Sequence, residues 1–67
     1  MPNIHTEIRR GRQALGWSQT DLAIAIRYNV PGSRCSSSTV SRWERGDRTP
    51  NPAMRIVLSE LLDVELS

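Results

Sequence analysis

Ser36-Ser37-Ser38-Thr39-Val40-Ser41-Arg42-Trp43-Glu44-Arg45-Gly46 is the stretch on which the reading of this chain turns. A cluster of serines runs into two apolar residues and stops at a glycine. The pattern predicts a helix of about ten residues, capped by Ser36 and ended by Gly46. Val40 and Trp43 lie three positions apart, so they share a face, and that face points inward. Ser37, Ser38, Ser41 and Arg42 then face outward as small hydroxyls around one guanidinium. Such a face packs poorly against protein and suits the surface of a duplex. The expectation is a DNA-recognition helix held in place by the rest of the chain.

Two helices precede it. Asn3 is a natural cap for the first, whose apolar face is marked by Ile4, Ile8, Ala14 and Leu15. Glu7 suits the positive end of the helix dipole. Gly11 lies inside this helix at a cost of ~1 kcal/mol relative to alanine, which reads as close approach by another helix. Gly16 ends the element, and Trp17 follows as an apolar anchor. Ser18-Gln19-Thr20-Asp21 is a capping box with Asp21 in the usual glutamate place. It opens a second helix from Gln19 to about Arg27, with Leu22, Ala23 and Ile26 inward. Tyr28 to Cys35 holds Asn29, Pro31, Gly32 and Ser33 and is expected to be a loop.

After Gly46, the segment Asp47-Arg48-Thr49-Pro50 is a connector. Asn51-Pro52 then starts a helix, with a capping residue followed by proline at the first helical position. This last helix spans Pro52 to Leu62. Met54, Val57, Leu58, Leu61 and Leu62 follow the i, i+3, i+4 spacing, and Ile56 widens the stripe. The expected fold is all-α, a compact bundle of about four helices in one domain over residues 1–67.

Composition narrows the function. A chain of 67 residues buries roughly 60% of its unfolded surface, which leaves little room for a metabolite cavity. Hydrophobic residues make up 37% and charged residues 24%, the balance of a globular domain. No apolar run reaches the roughly 20 residues of a membrane span, and the N-terminus lacks a secretory pattern. Cys35 is the single cysteine and fits a reducing cytosol. All nine basic residues are arginines, and eight of them lie within residues 1–50, where the balance is +4. Residues 51–67 carry a balance of −2. Guanidinium groups bind phosphate and guanine edges bidentately.

At this point three blocks carry a resemblance. Ile8-Arg9-x-x-Arg12, Gly16-Trp17-Ser18-Gln19-x-x-Leu22-Ala23 and Val40-Ser41-Arg42-Trp43-Glu44-Arg45-Gly46-x-x-x-Pro50 resemble the Cro and phage-repressor (XRE-type) helix-turn-helix family. The likeness covers nearly the whole chain. It implies a lambda-repressor-like bundle in which the second helix of a pair enters the major groove. Carried over residue by residue, it implies a phosphate contact for Gln19 and base-edge positions for Ser37, Ser38 and Arg42. It further implies an ion pair between Arg12 and Glu44 that ties the first helix to the recognition helix. The sequence departs from the family in two places. Gly11 stands where a large apolar residue is usual. Leu22 and Ser41 are nineteen positions apart, about seven more than members of that family usually have. The additional residues lie around Tyr28 to Arg34 and enlarge the turn. They read either as a DNA-contacting loop, with Arg27 and Arg34 near phosphates, or as a tolerated surface insertion.

The remaining chemistry is weighed the same way. Arg42 suits guanine O6 and N7. Ser37 and Ser38 specify weakly, because a hydroxyl both donates and accepts. Ser41, Arg45 and Arg48 are expected at the DNA backbone along with Gln19, Arg27 and Arg34. Trp17 and Trp43 are expected in the core. His5 has no ligand partner at metal spacing. Cys35, beside Arg34 and a helix start, is expected to have a lowered pKa. No carboxylate pair or phosphate loop appears, so no enzyme, cofactor, metal or small-molecule ligand is expected.

The expected function is a sequence-specific double-stranded DNA-binding regulator of the cytoplasm, at the nucleoid or in a phage-infected host. The resemblance implies a small autorepressor of a phage or mobile-element operon that binds a palindromic operator as a homodimer. Ile56, Leu61, Val64 and Leu66 are its expected dimer contact. The competing class is a protein-interaction module of the same fold, antitoxin-like or a phage inhibitor subunit, without DNA readout.

Overall fold

The computed structural model describes residues 3–66. Four helices make up the architecture: α1 (Ile4–Ala14), α2 (Gln19–Asn29), α3 (Ser37–Arg45) and α4 (Pro52–Leu62). Each begins on a side-chain oxygen that takes up an otherwise unpaired backbone N–H. Asn3 accepts from Thr6 at 2.8 Å, Ser36 from Thr39 at 3.4 Å and Asn51 from Met54 at 2.8 Å. The capping box of α2 is complete, with Asp21 N–H donating to Ser18 at 3.0 Å and Ser18 N–H to the Asp21 carboxylate at 2.9 Å. At the other end of α3, Gly46 takes a left-handed φ of 83°, a conformation that costs a side-chain-bearing residue.

The helices close around Ile8, Leu22, Ala23, Ile26, Val40, Trp43, Leu58 and Leu62, with Cys35 and Leu66 completing the buried set. Trp17, Met54, Leu61 and Val64 pack against it at the margin. The apolar stripe of α4 thus sorts by depth. Leu58 is fully buried and Leu62 nearly so, while Ile56 points away at 63% exposure. Gly11 is buried where α1 meets α4. A Cβ built there would come within 2.8 Å of the Leu62 Cβ, so the missing side chain is what lets α4 approach.

Three expectations are corrected. First, α2 runs past Arg27, so Tyr28 and Asn29 are helical and the loop starts at Val30. Asn29 folds its amide back onto the Ala25 carbonyl at 2.8 Å. The stop comes from Pro31, which forces the preceding Val30 out of helical geometry, to φ −124° and ψ 83°. Second, the inward face of α1 is Ile4, Ile8 and Gly11; Ala14 is exposed, and Leu15 is the C-cap at 46% exposure. Third, Cys35 belongs to the core at 6% exposure. Burial pushes its thiol pKa up, against a smaller opposing pull from Arg27. It is a packed apolar group, not an activated thiol.

Candidate nucleic-acid interface

What distinguishes α3 is how many elements hold its inner side. Arg12 on α1 meets Glu44 bidentately, Nε to Oε2 at 2.7 Å and Nη2 to Oε1 at 3.0 Å. The third guanidinium nitrogen, Nη1, donates to the Trp17 carbonyl at 2.8 Å, which adds the α1–α2 turn to the same node. Gln19, the first residue of α2, donates to Glu44 Oε1 at 3.3 Å. The two charged side chains are only 12% and 6% exposed. The Arg12 pKa is raised, chiefly by its hydrogen bond to Glu44, with burial opposing and the carboxylate's charge assisting. One glutamate therefore fixes α3 against three preceding segments. A planar two-point contact fixes direction as well as distance.

A second brace was not legible in the sequence. His5 Nδ1 donates to the Trp43 carbonyl at 2.7 Å, and its ring lies beside Gly46. The histidine that stands alone in the sequence thus satisfies a carbonyl in the last turn of α3. No local spacing signals this, because 38 positions separate donor and acceptor.

With the inner face occupied by Val40, Trp43 and Glu44, the remaining residues of α3 look outward. Gln19, Ser37, Ser38, Ser41, Arg42 and Arg45 line one shallow concavity. Arg42 also borders a second one, shared with Thr39, Arg48 and the start of α4 at Asn51. Arg42 is exposed and stands on the ridge between the two hollows. Ser38, Arg45 and Arg48 are exposed, whereas Ser37, Ser41 and Gln19 are half-buried. The structure therefore gathers all three base-edge candidates and three backbone candidates onto one surface. Gln19 joins the two sides: its amide donates to Glu44, and the residue lines the concavity.

Beyond Gly46 the chain folds back. Asp47 and Arg48 N–H groups both donate to the Arg42 carbonyl, at 3.0 and 3.3 Å, which keeps Arg48 at the C-terminal end of α3. Arg45 pairs with Asp47 at 3.3 Å, but both side chains are more than 60% exposed. An exposed pair of this kind is worth less than about 1 kcal/mol and exchanges readily for a phosphate. Arg27 and Arg34 are exposed and do not line the concavity; Arg27 lies in the last turn of α2 and Arg34 two positions before the α3 cap.

The four residues expected at a dimer contact differ in exposure. Leu66 is 4% exposed and belongs to the chain's own core, and Leu61 and Val64 are half-buried against it. Of the four positions, Ile56 is the one that offers open apolar surface. Among the described residues no helix is long and apolar enough to cross a membrane, and no three His, Cys, Asp or Glu side chains are placed to hold a metal ion.

A family model described as helix-turn-helix matches residues 8–67. No curated protein and no solved structure matches the chain. The matched region contains α2, α3, the Arg12–Glu44 node and α4 entire, and starts within α1 at the first fully buried core residue, Ile8. The chain belongs to the Cro/C1-type (XRE) helix-turn-helix family.

Proposed function

We propose that this chain is a sequence-specific double-stranded DNA-binding transcription regulator, a single domain that places α3 in the major groove. The observation that carries this reading is the division of α3. Its inner residues are bound to α1, the α1–α2 turn and α2, while Ser37, Ser38, Ser41 and Arg42 are left to one polar, cationic surface. On this reading Arg42 on the ridge meets a guanine edge, and Ser37 and Ser38 meet bases beside it. Gln19, Ser41, Arg45 and Arg48 hold backbone phosphates.

The finer role is a small autorepressor of a phage or mobile-element operon, acting as a dimer on a palindromic operator. It rests on the family's habits and on Ile56, exposed on α4 beside Pro52 and Ser59. A site of action at the nucleoid, or in a phage-infected host, follows from the same reading.

Selection of duplexes from a random pool, followed by gel-shift titration at several salt concentrations, tests the proposal. The expected result is a selected sequence bound at least about a thousandfold tighter than random DNA, with Arg42→Ala relaxing the preference at one base position by about 1–3 kcal/mol. Sedimentation of the parent and Ile56→Arg chains reads the dimer. Equal affinity for all duplexes would sink the regulator.

One observation favours a protein-interaction module instead. Ile24 and Tyr28, one turn apart on α2, are 51% and 86% exposed. If Arg42→Glu leaves the biological effect intact while Ile24→Asp or Tyr28→Asp abolishes it, that second reading replaces the first.

A further inference from the structure

The lengthened connection between α2 and α3 contributes little to the core. Of residues 30–36, only Cys35 is buried, and Pro31, Gly32, Arg34 and Ser36 are exposed. Its charge is one-sided. From Leu22 to Trp43 the chain carries Arg27, Arg34 and Arg42 and not one Asp or Glu. The ion pairs among the described residues join Arg10 to Glu7, Arg12 to Glu44 and Arg45 to Asp47, and so involve neither Arg27 nor Arg34. Two exposed guanidinium groups thus stand in a stretch without carboxylates.

Their place on the fold gives that charge a direction. Arg34 lies two positions before the α3 cap Ser36, and Arg27 lies in the last turn of α2, where the chain enters the connection to α3. Arg45 and Arg48 occupy the opposite end of α3. A recognition helix lies in the major groove between two phosphate backbones, so cations beyond its ends come within reach of those backbones.

We propose that the enlarged α2–α3 connection is a phosphate clamp: Arg27 and Arg34 hold the DNA backbone at the N-terminal end of α3, opposite Arg45 and Arg48. This rests on the DNA-binding reading above. The clamp adds affinity and salt dependence without adding base preference, because phosphates are the same at every sequence. The α2 extension keeps Arg27 on a helix, so its guanidinium is presented from a rigid element and costs less ordering on binding.

The test uses a 30-base-pair duplex selected by the parent chain from a random pool, titrated between about 50 and 200 mM salt. Each phosphate contact contributes about 0.9 to the slope of log K against log salt. Arg27→Ala/Arg34→Ala is expected to reduce the magnitude of that slope by about 1.8 and to leave the selected sequence unchanged. Arg27→Lys/Arg34→Lys is expected to restore the slope, since lysine keeps the charge. An unchanged slope in the alanine variant, or no recovery with lysine, overturns the clamp. A reduced slope with an altered base preference also overturns it, because the contacts would then be to bases. If the parent chain selects no sequence at all, the regulator reading itself fails. Thermal melts of both variants should coincide with the parent, as both side chains are exposed.

Discussion

At the scale of single residues, the structure turns on Glu44. Its carboxylate receives Arg12 twice and Gln19 once, and it is nearly closed off from solvent. Removing one partner of a buried pair leaves a charge without compensation and costs about 3–5 kcal/mol, whereas removing both often costs little. Glu44→Ala is therefore expected to destabilise strongly, and Arg12→Met/Glu44→Met to recover most of that stability. The double variant should still lose DNA affinity, because Met–Met packing does not fix the direction of α3. Chemical denaturation of the four chains of the double-mutant cycle, with parallel gel shifts, measures both effects. If the double variant keeps full affinity, the pair does not orient the helix. Arg12 and Glu44 could be paired from the sequence only because the family likeness aligned them. His5, which does comparable work at Trp43, lies outside any motif and stands alone in the sequence.

At the scale of elements, the helix boundaries were largely written in local chemistry. Asn3, Ser18, Ser36 and Asn51 are all caps in the structure. These are decisions within three residues, and sequence reports such decisions well. The inter-helix loop was less legible, since Tyr28 and Asn29 carry no strong signal and the stop is set by Pro31. Exposure was less legible still. Leu15 and Leu66 are equally apolar, yet one is open and the other buried, because burial depends on where α4 and the residues after it pass. Gly11 shows the same dependence on a distant element. Alanine there would gain about 1 kcal/mol of helix propensity, but its Cβ would stand 2.8 Å from the Leu62 Cβ. That atom adjoins the α4 backbone and cannot swing aside, so α4 must shift, at about 1–3 kcal/mol. Gly11→Ala is expected to lower stability despite the better propensity. A raised melting temperature would show that the α1–α4 contact has slack.

At the scale of the whole molecule, the core is small and the interface depends on it directly. A chain of 67 residues has about 3–10 kcal/mol of stability at the usual value per residue. Val40 and Trp43 belong at once to the core and to α3, so no separate scaffold remains if the core loosens. Leu58 reaches the same cluster from α4 and is fully buried. Leu58→Ala removes about 2–5 kcal/mol, a large share of the total, and should lower the melting temperature by more than about 10 °C. DNA binds the folded state alone. A selected duplex at a hundred times its dissociation constant should therefore return about 2.7 kcal/mol, raising the variant's melting temperature by several degrees. Arg42→Ala, exposed on the ridge, should show the opposite pattern, with a parental melt and a weakened response to the duplex. Thermal melts followed by tryptophan fluorescence, with and without duplex, separate the two, because both tryptophans pack in or against the core. If Leu58→Ala melts within a few degrees of the parent, stability is not concentrated in this one cluster. Helix α3 would then be supported mainly by the polar node at Glu44.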